Sequence, residues 1–97
     1  MTLDDFTAST AAATPPPVGP LLLALWHEKR GDWDRAHRIA QDIETRDGAW
    51  VHAYLHRREG DAWNARYWYT RATRPECTSS LDDEWTAIAR TLLQPAS

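Results

Sequence analysis

The chain has 97 residues and a formal net charge of −3, from 11 basic and 14 acidic side chains, so it holds one small domain whose modest core gains from six Trp and three Tyr. The acidic balance argues against a general nucleic-acid or membrane-surface binder, and the apolar run Leu21–Trp26 is far short of the ~20 residues a membrane span needs. Cys77 stands alone, which excludes an intramolecular disulfide and a multi-thiolate metal site.

Residues 1–17 are rich in Thr, Ala and Pro and end in Pro15-Pro16-Pro17, which forbids helix there and reads as a disordered tail ahead of a single α-helical repeat domain at 18–95. Asp4 and Asp5 stand where a signal peptide carries positive charge, so a cytoplasmic setting is expected. Pro20 suits a first helical turn, and the apolar run that follows stops at Gly31. Asp32 can cap a second helix, whose Ala36, Ile39, Ala40 and Ile43 fall on one stripe. Asp47-Gly48 then breaks the chain. A third helix runs from about Ala49 to Glu59 and stops at Gly60; Asp61 caps a fourth, with Ala65, Trp68, Tyr69 and Ala72 on one stripe, and Arg74-Pro75 ends it. Ser80 and Asp83 resemble a capping box for a final helix that carries Leu81, Trp85, Ile88, Ala89, Leu92 and Leu93 inward. No apolar–polar alternation marks a strand. All four glycines fall at these boundaries, which leaves none to build a phosphate-cradling loop. The fold class is all-α: two helical hairpins at about 20–45 and 49–73, with a C-terminal capping helix at about 81–93.

The hairpins are copies of each other. Leu25-Trp26-His27, Gly31-Asp32 and Ala36 return 29 residues later as Tyr54-Leu55-His56, Gly60-Asp61 and Ala65. A small residue in each first helix (Ala24, Ala53), the Gly-Asp turn, and a small residue early in each second helix (Ala36, Ala65) resemble the tetratricopeptide repeat; Ala72 and Pro75 fit it in the second copy. The offset is shorter than that family's usual ~34 residues, and His27 and His56 stand where the family has an aromatic residue. The block from Trp50 to Arg74 also looks like one in small bacterial proteins, a likeness that supplies no chemistry. By the repeat resemblance, a concave groove is lined by Leu21, Leu25 and Glu28, then by Trp50, Tyr54 and Arg57. The second trio would offer an apolar platform beside a cation, suited to a peptide carboxylate or an acidic segment.

Residues 49–75 carry five Arg against Glu59 and Asp61, a local balance of about +3 by that count. The expected function is therefore a protein- or peptide-binding scaffold using the aromatic and basic second repeat, with a homodimer as one form of partner. Stacking of Trp50, Trp63, Tyr67 and Trp68 on nucleic-acid bases is opposed by the overall acidity.

The alternative function is a small-molecule, nucleotide or metal-binding site around His52 and His56. These lie four apart on one helix with Glu59 three further on, a spacing that stacks three metal-ligand types on one face. A helical wheel turns the two histidines toward solvent, whereas the repeat register points them at the helix of residues 62–73. There Asn64, Tyr67 and Arg71 form the stripe expected to satisfy them. The plainer reading is a pair of histidines hydrogen-bonded within the hairpin. No catalytic constellation is recognisable and no cofactor is implied.

Overall fold

The computed structural model describes residues 1–94. Six helices follow in order: Leu3–Ser9 (α1), Pro20–Lys29 (α2), Trp33–Gln41 (α3), Arg46–Arg58 (α4), Ala62–Ala72 (α5) and Leu81–Leu93 (α6). Helices α2 and α3 form one antiparallel hairpin and α4 and α5 a second, while α6 packs across α2 and α4. No strand is present among the described residues, and no helix among them is long and apolar enough to cross a membrane.

The repeated Gly-Asp phrase has a repeated physical cause. Gly31 (φ +90°) and Gly60 (φ +88°) adopt left-handed backbone, which a residue with a Cβ enters only at a cost. Each turn then satisfies the carbonyls at the end of the preceding helix in the same way. The Gly31 and Gly60 N–H groups donate to the carbonyls of Glu28 and Arg57, and those of Asp32 and Asp61 donate to the carbonyls of His27 and His56, both at 2.9 Å. The same aspartates open the next helices, their carboxylates accepting from the backbone N–H of Arg35 and of Asn64. Ala24, Ala53, Ala36 and Ala65 are all buried, so the paired helices approach closely at these four points.

Two segments differ from the sequence expectation. Residues 1–17, read as a disordered tail, begin with α1, which starts on a capping box between Thr2 and Asp5. Phe6 is 0% exposed and stacks on Trp85 with ring centroids 5.6 Å apart. The Trp26 indole N–H reaches the Ser9 carbonyl at 2.9 Å, and Arg30 binds the carbonyls of Thr10 and Ala12. One aromatic ring and three long-range hydrogen bonds therefore hold a segment whose composition alone could not.

Gly48 is the second difference. It does not break the chain but sits inside the first turn of α4, capped by the Thr45 hydroxyl. A Cβ there would run into the carbonyl oxygen of Ile43, so glycine is required by close approach rather than by a turn.

Candidate functional site

The i, i+4 spacing of His52 and His56 puts both rings on one face of α4, and the structure brings to them a third imidazole that the sequence reading missed, His37 of α3. Burial of Ala36 and Ala40 draws α3 against α4, which leaves His37, between them in sequence, on the seam. One ring nitrogen from each of the three histidines lies within 4.8 Å of the others. The closest pair, His37 Nε2 and His52 Nε2, share a hydrogen bond at 3.0 Å. Two tryptophans fix the cluster from either side. Trp33 stacks on His37 (centroids 4.8 Å apart, planes 10° apart), and Trp68 of α5 stacks on His52 (3.8 Å, 17°). Trp33 is itself anchored, its indole N–H donating to the Leu55 carbonyl at 2.7 Å.

Burial sets the charge state of two of these rings, His52 and His37. Withdrawal from water holds the His52 pKa down to about 4, and the neighbouring His37 and His56 oppose a proton further; burial lowers that of His37 in the same sense. At neutral pH these two rings present lone pairs rather than charges, the form a metal ion takes as ligand. Nδ1 of His56 is buried with no hydrogen-bond partner among the described residues, and the nearest carboxylate, Oε2 of Glu59, stands 3.7 Å away. Three imidazoles around a tetrahedral zinc ion have nitrogens about 3.4 Å apart. The separations here, from 3.0 Å for the bonded pair to at most 4.8 Å, bracket that value. Asp61 also lies within reach of His56, but its carboxylate already accepts from the Asn64 backbone N–H (3.2 Å) and side-chain amide (2.6 Å) as the cap of α5.

The other residues singled out in the sequence lie elsewhere. The repeat register was the better guide to His52, which does face α5. Its partner there is Trp68, however, rather than Asn64, Tyr67 or Arg71. Asn64 is held by Asp61, and Arg71 donates to the Tyr67 hydroxyl at 3.1 Å on the outer side of α5. Trp50, Tyr54 and Arg57 do not form an open platform. Trp50 and Tyr54 are interior side chains, and Trp50 is roofed by the Arg74 guanidinium 3.5 Å from its ring centre. Arg57 and Trp50 converge instead on Glu84, whose carboxylate is 1% exposed. It accepts from Arg57 Nη1 at 2.9 Å, from the Trp50 indole at 3.3 Å and from the Tyr69 hydroxyl at 2.6 and 2.8 Å; Arg57 also reaches the Ser79 carbonyl. Glu28, expected in the groove, is buried beside Arg58 at 3.3 Å, and burial raises its pKa.

What remains outside is a strip on α5. Trp63 is 73% and Tyr67 47% exposed, with Arg66 and Arg71 beside them. No protein-family model matches the chain, and neither a curated protein nor a solved structure matches it.

Proposed function

We propose that the chain binds a divalent transition-metal ion, zinc foremost, through His37, His52 and His56. The observation that carries this reading is the convergence of three imidazoles from α3 and α4, two of them held neutral by burial, with one nitrogen from each inside a 4.8 Å span. Three nitrogen ligands leave a tetrahedral ion one further position, and Glu59 is the nearest carboxylate to the cluster's outer ring. In the other role open to it, Glu59 accepts a hydrogen bond from the Nδ1–H of His56 and so turns Nε2 toward the ion, as carboxylates commonly do behind ligating histidines. The helical hairpins then serve as a scaffold, similar in kind to the tetratricopeptide repeat, that holds the donors in place before the ion arrives. A reduced, cytoplasmic setting agrees with the lone Cys77.

Calorimetric titration with zinc and the visible spectrum of the cobalt-substituted protein test the proposal together. One equivalent should bind, cobalt should give the intense absorption of a tetrahedral site, and His37→Gln or His56→Gln should weaken binding at least tenfold. A wild-type chain that takes up no zinc at micromolar concentration, or variants that bind as well as wild type, would falsify it.

A second reading rests on the exposed strip of α5. Trp63 and Tyr67 beside two arginines favour contact with an acidic protein or peptide partner, or with a second copy of the chain. Gel filtration and pull-down with Trp63→Ala as control address this reading separately.

A further inference from the structure

A cavity of about 330 Å³ adjoins the histidines on the side of His52. Its walls come from three helices: Gln41 at the end of α3, Thr45 and Arg46 at the start of α4, and Trp68 and Arg71 of α5. We propose that this cavity binds a small molecule bearing a carboxylate or phosphate group, which lies between Arg46 and Arg71 and beside the Trp68 indole.

Two features of the walls point to an anion. Neither Arg46 nor Arg71 takes part in an ion pair among the described residues, although the chain carries more acids than bases. Arg71 spends one N–H on the Tyr67 hydroxyl and lies 5.2 Å from the Trp68 ring centre, which fixes its guanidinium and leaves the other donors free for a planar oxyanion. The charge on the walls is also net positive, two arginines against one glutamate. Glu44 is the one acid among the lining residues, and Asp47, the next acid along the chain, lines a different groove. The cavity also opens onto the first turn of a helix of 13 residues, whose dipole adds to the positive potential of the two side chains. The volume is at the small end of ligand pockets, which limits the occupant to a compact metabolite-sized molecule rather than a peptide. The site does not depend on the metal centre for its recognition chemistry, so the two stand or fall separately.

The test uses the 97-residue chain freed of divalent ions by chelator and then dialysed. Sodium phosphate and sodium acetate are titrated separately in low-salt chloride buffer and followed by two-dimensional NMR. At least one anion should give saturable shifts at the Arg46–Ala49 amides and the Trp68 indole. A phosphate response marks a phosphate-bearing ligand, and an acetate response marks a carboxylate. Arg46→Gln/Arg71→Gln should weaken that binding at least tenfold. Arg66→Gln, whose guanidinium pairs with Glu76 away from the cavity, should leave it unchanged. Shifts no larger than those from equal chloride, or an unchanged dissociation constant in the folded double variant, overturn the proposal. Should the double variant fail to fold, the exposed Arg46→Gln alone should weaken binding at least threefold, and an unchanged constant there overturns it equally.

Discussion

Acid should loosen this protein through one ring, His52. Burial against Trp68, with His37 and His56 adjoining, holds its pKa near 4, whereas an exposed histidine in the unfolded chain titrates near ~6.5. The folded-state value is the lower of the two, so below about pH 6.5 the unfolded chain takes up a proton that the folded chain refuses. The contribution of the neutral ring is complete above that pH and is lost progressively as the pH falls toward 4. A gap of about 2.5 pH units at ~1.4 kcal/mol each gives a loss of about 3 kcal/mol, a large part of what a domain of this size holds in reserve. Urea unfolding of the metal-free chain at pH 7.5, 5.5 and 4.0 measures it. The His52→Leu variant, whose side chain still packs on Trp68, keeps every other ionisable group and so supplies the reference. Wild type should lose about 3 kcal/mol more than the variant over this interval. Parallel losses, within about 0.5 kcal/mol, would show that His52 is solvated in solution and refute the reasoning.

Three further outcomes follow from the packing. Glu84→Ala strands the Arg57 guanidinium, the Tyr69 hydroxyl and the Trp50 indole, so denaturant unfolding should show a loss of about 3–5 kcal/mol; a loss below about 1 kcal/mol would mean that water serves them as well. Gly48→Ala would normally strengthen a helix, yet here it should lower stability by about 1–3 kcal/mol because the new methyl meets the Ile43 carbonyl, and a rise in melting temperature contradicts the close approach. Phe6→Ala should lower stability by about 3–5 kcal/mol, and a chain that unfolds at an unchanged urea midpoint after this substitution has no docked α1.

The parts of the fold that short-range chemistry determines were legible in the sequence. Gly31-Asp32 and Gly60-Asp61 each specify a left-handed residue followed by a capping carboxylate, and both turns form as read. The pairing of His52 with His56 was equally local, because four residues make one helical turn. His37 was not legible in this way. It is 15 residues from His52 in the chain, and only the depth to which Ala36 and Ala40 sink against α4 brings the rings together. Its place in the first repeat is taken by Arg66 in the second, so the duplication that revealed the scaffold concealed the third donor. The pattern Trp33-x-x-x-His37 was the one available signal, an aromatic ring placed to stack on an imidazole one turn later. Trp50 and Tyr54 misled for a related reason. Repeat register says which residues share a face, but only the packing of α6 across α4 decides that Trp50 is covered and joined to Glu84. Burial of Phe6 depends on a contact with Trp85, 79 positions away, which no window of composition contains.

The meeting of Phe6 with Trp85 has a consequence for how the molecule comes apart. The Trp85 indole also donates to the Leu25 carbonyl at 3.1 Å, so the first, second and last helices are clasped around one ring. A row of hairpins joined only to nearest neighbours can peel from an end, unit by unit. Here the two extremities are fastened to each other, and loosening either one strips the other of its cover. Heat should therefore release all six helices in a single event, and a protease that nicks near either terminus should undo the middle as well.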